Sequence, residues 1–150
     1  MTDPALDLPA ILAGHMKWLR SEAGGSRANL SRANLSGANL CGANLYGANL
    51  SRANLYGKKI AKGSKVAFAG PVGNADRVVH GVIVEPDADH KKPWLFLFCG
   101  CFQGDRAAYL ARIKDRYSEE RAYLAQCKAA LVLCEAIAKT WTIEVTKVAK

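Results

Sequence analysis

The sequence predicts a mixed fold: a short β-solenoid, entered from an N-terminal helix and followed by an α+β module. Three observations predict it. Ala-Asn-Leu recurs six times at a strict spacing of five residues, with Leu at 30, 35, 40, 45, 50 and 55. A helical apolar period precedes this run, between Leu6 and Arg20. After Gly63 the five-residue period gives way to alternating, Val-rich stretches and then to helical ones.

A period of five suits neither common secondary structure. On an α-helix five residues advance about 500°, so six Leu would be smeared over every side. On a continuous strand an odd spacing throws successive Leu onto opposite faces. All the Leu point one way only if the chain turns a corner once per repeat, which describes short strands wound round a Leu-filled axis. Ala and Leu then face in and Asn faces out. The two remaining positions are Ser-Arg, Ser-Gly, Cys-Gly, Tyr-Gly, Ser-Arg and Tyr-Gly, and Gly and Ser suit a corner.

Leu6 to Arg20 reads as an amphipathic helix. Asp7-Leu8-Pro9 supplies its start, with Pro tolerated in the first turn. Leu8, Leu12, His15, Met16 and Leu19 form one face, and Gly24-Gly25 ends it. Its expected task is to plug the N-terminal end of the solenoid, with His15 as a core or margin residue. Beyond Gly63, Lys65–Ala69, Arg77–Glu85 and Trp94–Phe98 read as three strands of an antiparallel meander, the last apolar on both faces and hence covered on both sides. Asp105 caps a helix to about Tyr117, and Ser118-Glu119-Glu120 opens another to about Lys139. Thr140 to Val148 is a last strand or a loose tail. The expected divisions are 1–22, a capping helix; 23–62, the repeat; and 63–150, a three-stranded sheet with two helices.

Six consecutive matches to Ala-(Asn/Asp)-Leu-x-x resemble the pentapeptide-repeat family. The resemblance implies a right-handed, four-sided β-helix with one repeat per side and about twenty residues per coil. Degenerate units, with Ala23 and Gly25 before the run and Ile60 after it, would extend the repeat over residues 23–62, about two coils; Lys58 spoils the Ala position of the last unit. Trp18-Leu19-Arg20, Gly70-Pro71-Val72-Gly73-Asn74 and Gly100-Cys101-Phe102-Gln103-Gly104 further resemble small bacteriophage and prophage pentapeptide-repeat proteins. The loop departs from theirs in carrying Asn74-Ala75-Asp76-Arg77 in place of a tight Ser-Arg.

At 150 residues the chain is one or two small domains. No stretch approaches a transmembrane length, and Met-Thr-Asp-Pro does not open a secretory signal. Five Cys without a framework spacing read as reduced thiols in a bacterial cytoplasm. The net charge is +8, and it is uneven: residues 27–62 carry six basic side chains and no acid. A twenty-residue coil would set Arg32 over Arg52, with backbones about 4.8 Å apart. Such a pair repels unless an anion or acidic partner sits between the guanidiniums. The simpler reading is that both side chains splay into water.

No Ser/His/Asp or Cys/His arrangement suggests a nucleophile, so no enzyme activity and no cofactor are expected. Cys99, Cys101, Cys127 and Cys134 lack the usual ligand spacing for zinc, and Cys127 and Cys134 lie on an apolar helix face. Gly70–Asn74 lacks the Lys-Ser/Thr of a phosphate loop; a backbone nest for an anion is its alternative to a plain strand connection. Arg77 and His80 come shortly after it, and with Arg32 and Arg52 they are the candidate anion- or partner-binding residues.

The expected function is that of a non-catalytic, phage- or prophage-derived binding protein. It would interfere with a host process, including host defence, by sequestering a host protein or a small anionic ligand. Open solenoid ends favour a homo-oligomer. The alternatives are nucleic-acid binding by the basic repeat face and a gyrase-directed, DNA-mimicking role, which the basic repeat disfavours. No membrane partner is expected.

Overall fold

The computed structural model describes residues 6–40, 43–73, 77–100 and 102–143. Helix α1 spans Leu8–Leu19. The Asp7 carboxylate caps it by accepting from the Ala10 N–H at 3.1 Å, with Pro9 in the first turn. Leu6, Leu8, Ile11 and Leu12 pack against the Leu stack of the repeat. Gly25 fits because a Cβ there would collide with the α1 backbone at Lys17 and Trp18.

Five of the pentads are followed by the same hydrogen bond. The Leu carbonyl accepts from the Ala N–H three residues on: Leu30 from Ala33, Leu35 from Ala38, Leu40 from Ala43, Leu45 from Ala48 and Leu50 from Ala53, all at 3.0–3.2 Å. Asn braces the corner, because its side-chain carbonyl accepts from the N–H two residues on at Asn29, Asn34, Asn44 and Asn49. That gives Asn a role at these four outward-facing positions, whereas the Asn54 side-chain carbonyl is buried without a partner. Successive windings pair in parallel at an offset of twenty residues: Asn34 with Asn54, Leu35 with Leu55 (strands β1, Asn34–Leu35, and β2, Asn54–Leu55) and Asn29 with Asn49. Leu30, Leu35, Leu45 and Leu55 are fully buried between them. Residues 28–57 therefore form a solenoid-like segment.

The winding stops earlier than expected. Corners at Arg32, Gly47 and Arg52 have a positive φ at their second residue, as a type II turn requires. At Tyr56-Gly57 both residues are positive, at 50° and 77°, the geometry of a two-residue hairpin turn. The chain reverses, and β3 (Lys58–Lys59) runs antiparallel to β2. Tyr46-Gly47 is the same dipeptide and makes an ordinary corner, so the cause lies in the pair Lys58-Lys59 immediately after Gly57. A continued coil would push Lys58 into the inward Ala slot and bury its charge, which is costly. The hairpin instead gives Lys58 to Asp87 at 2.8 Å and Lys59 to Glu85 at 3.0 Å. The expected two coils over residues 23–62 are thus about one and a half, six pentads at four to a winding. Ile60 is still fully buried, but it bridges to Val84 of the next sheet.

That sheet has four strands, not the expected three: β4 (Ala67–Val72), β5 (Arg77–Val84), β6 (Trp94–Cys99) and β7 (Phe102–Gly104), paired in sequence order and antiparallel throughout. Gly100, with φ 58°, lets the chain double back after β6, so that Phe102 pairs with Cys99. Helices α2 (Arg106–Arg116) and α3 (Arg121–Ala138) complete the module, and Asp105 caps α2 through the Ala108 N–H at 2.8 Å. Alternation along β5 and β6 divides the sheet. Val82, Val84, Phe96 and Phe98 face the Leu stack, while Val79, Leu97 and Cys99 face α2 and α3. The sheet is the middle of three layers. Thr140–Ile143 form no strand, and the remainder of the expected last strand lies outside the described residues.

Candidate anion-binding cavity

Helix α2 positions the site. Tyr109, Arg112, Ile113, Arg116 and Tyr117 fall at i, i+3, i+4, i+7 and i+8, one face of a helix. That face meets Val72 from β4, Arg77 at the start of β5, Cys99 and Phe102-Gln103 from the β6–β7 hairpin, and Cys127 from α3. Together they enclose a cavity of about 400 Å³. Tyr109, Ile113, Tyr117, Cys99 and Cys127 are buried, Phe102 and Arg77 are half-buried, and Arg112 and Arg116 are exposed. The cavity is an apolar, aromatic floor with three guanidinium groups round it.

Several contacts hold the floor in place. The Tyr109 hydroxyl donates to the Cys127 carbonyl at 3.2 Å, and Phe102 stands edge-on to Tyr109 with ring centroids 5.5 Å apart. Arg116 lies over the Tyr117 ring at 5.8 Å. Arg106, one turn before the site, pairs with Glu135 at 2.8 Å and ties α2 to α3. Among the described residues no acid lines the cavity and none pairs with Arg77, Arg112 or Arg116. Burial pushes the Cys99 thiol up to about 11 and raises Cys127 and the Tyr109 phenol. All three are therefore protonated at neutral pH and present neither a thiolate nor a phenolate.

Of the four residues singled out in the sequence, only Arg77 reaches this cavity. His80 does not accompany it. Three residues along a strand is an odd step, so the two side chains leave opposite faces. His80 faces the solenoid and is 3% exposed. Its ring stacks on Phe98 with centroids 4.9 Å apart, and its Nε2 accepts from the Leu45 N–H at 3.3 Å. Burial pushes its pKa down to about 4, so it is neutral and serves as a backbone cap. His15 does the same at the other end of the repeat. It is fully buried, and its Nδ1 accepts from the Ala28 N–H at 3.2 Å. A preceding pentad would have used a Leu carbonyl there. Arg32 and Arg52 occupy equivalent corners one winding apart, both exposed and both at φ 60°. They lie on the solenoid and do not line the cavity.

In the loop 70–73 the Gly73 N–H is taken by the Gln126 side-chain carbonyl at 3.2 Å; Asn74 lies outside the described residues, as does Cys41. A hollow of similar size, about 410 Å³, lies beside Trp18, Tyr46 and Lys65, but the Arg27 guanidinium there is already engaged with the Gly47 carbonyl. Among the described residues no group of three or more His, Cys, Asp and Glu is placed to hold a metal.

A solenoid-like run of pentads with a helical cap and a basic cavity in the following module defines a repeat-containing protein with two surfaces. Residues 26–57 match the family model described as Pentapeptide repeats (8 copies). Proteins built on such repeats are in general interaction or binding proteins. Neither a curated protein nor a solved structure gives a significant match to the chain. No described helix is long and apolar enough to cross a membrane.

Proposed function

We propose that the chain is a non-catalytic binding protein whose C-terminal cavity takes up a small anionic ligand. One observation carries this: Arg77, Arg112 and Arg116 surround a single cavity with no acid among its described lining residues. Three cations so gathered repel one another until an anion joins them, and guanidinium pairs suit carboxylate or phosphate oxygens. The described lining residues also include no carboxylate or imidazole for proton transfer, which favours uptake over turnover. On this reading the pentads are a rigid platform, self-association covers their open ends, and the protein acts as a sink that withholds its ligand from a host process. A phage or prophage origin rests on the resemblance of the terminal motifs.

The test is calorimetric titration with pyrophosphate and nucleotides at low salt. Binding is expected in the native chain and is expected to weaken at least tenfold in Arg112→Gln/Arg116→Gln, at about 1–3 kcal/mol per charged hydrogen bond lost. Both positions are exposed, so the fold and its melting temperature should be unchanged. Binding that survives the double substitution intact would place the anion elsewhere and refute the proposal.

A further inference from the structure

The cavity specifies more of its ligand than the sign of the charge. Resting on the small-anion reading above, we infer that the ligand is a nucleoside phosphate, with its base on the aromatic floor and its phosphate among the guanidiniums. Three features of the cavity point there. Its volume of about 400 Å³ lies at the lower end of the range of roughly 300–1,000 Å³ that small organic ligands occupy. A bare phosphate would leave most of that space wet, and a polymer would not fit inside it. The interior is also segregated. Apolar groups, Val72, Ile113, Tyr109 and Tyr117, make the floor, whereas Arg112 and Arg116 reach water at the rim. An anion without an apolar part would gain nothing from the floor.

Phe102 provides the third feature. It is half-buried, lines the cavity and stands edge-on to Tyr109 of the floor. A planar ring can lie against it, and stacking of a base on an aromatic side chain is tolerant of base identity. Gln103 beside it offers one amide, a donor and an acceptor, for a base edge. Arg77 is fixed from behind, since its guanidinium packs where a Cβ of residue 100 would stand, and Gly100 leaves that room.

The experiment compares three probes on the native chain: 5′-AMP, adenosine and inorganic pyrophosphate, each titrated calorimetrically at low salt. AMP is expected to bind at least tenfold tighter than either of the others. Phe102→Leu should weaken AMP about 5- to 100-fold, the range that loss of one stacked base gives, and should leave pyrophosphate unchanged. Pyrophosphate binding as tightly as AMP would overturn the inference while leaving a small-anion site. Adenosine binding as tightly as AMP would overturn both, because the guanidiniums would then contribute nothing. Binding by none of the three would also overturn both. AMP affinity unaltered in Phe102→Leu, with an unaltered melting temperature, would remove the base from the floor and overturn the inference alone.

Discussion

Leu35→Ala should lower the stability of the folded chain by about 3–4 kcal/mol. Leu35 is fully buried and pairs in register with Leu55 of the next winding. Truncation removes the transfer free energy of the lost methyl groups and leaves a void the neighbours cannot close. Leu30 and Leu45 are held by the corner hydrogen bonds of their own pentads, and Leu55 by its strand pairing. The Leu stack is also continuous with Val82, Val84, Phe96 and Phe98 of the four-stranded sheet, so the loss is felt beyond the repeat. For a chain of this size the melting temperature should fall by about 10 °C. Serine at exposed Asn29 is the control: Asn29→Ser keeps a side-chain acceptor at the corner and should cost well under 1 kcal/mol. Equal losses from Leu35→Ala and Asn29→Ser would mean that the Leu stack is not the core of the repeat.

Acidification should be the second large effect, and it should act through His80. Its pKa in the folded chain is pushed down by burial to about 4, against 6.5 for the free side chain. Between those values the unfolded chain binds the proton and the folded chain does not, so stability falls as pH falls. The contribution is complete above pH 6.5 and is lost as pH drops towards 4. At 1.36 kcal/mol per pH unit the difference is worth roughly 3 kcal/mol. His15 is lowered in the same direction, chiefly by burial, with the backbone of Tyr46 opposing it and the Arg27 charge assisting. Protonating either ring abolishes a cap: Nε2 of His80 could no longer accept from Leu45, nor Nδ1 of His15 from Ala28. Urea unfolding measured at pH 7, 5.5 and 4.5 checks this. His80→Gln keeps an acceptor for Leu45 and removes the titration, so it should be less stable than the native chain at pH 7 and visibly flatter below pH 6.5. An unchanged pH profile in His80→Gln would show that His80 titrates normally and is not sealed against the repeat.

The two effects show which parts of the molecule are written locally. The pentads are legible because a five-residue period has one geometric solution, and the twenty-residue pairing of Asn34 with Asn54 is its consequence. Their end is not, since Tyr56-Gly57 repeats Tyr46-Gly47; only the charge of Lys58 in an inward slot separates a reversal from another corner. Helices α1 and α2 are legible from their caps, Asp7 and Asp105. Strand β7 is three residues long and lies in what reads as a turn before α2, and such a segment carries no period to detect. Arg77 is legible as a candidate, but joining it to His80 ignores the odd step between them. The signal for Arg112 and Arg116 is present, as two cations within the aromatic face Tyr109–Tyr117 of an amphipathic helix. Nothing local says that β5, β7 and α3 close over that face; the sheet order decides it.

Native mass spectrometry of the chain purified gently from bacterial cells tests the cavity most directly. A discrete excess mass of a small organic anion is expected on the 16.1 kDa chain, lost on denaturing and absent from Arg112→Gln/Arg116→Gln. A bare chain that also stays bare when AMP and pyrophosphate are added, or an adduct that persists in the double variant, would contradict that expectation.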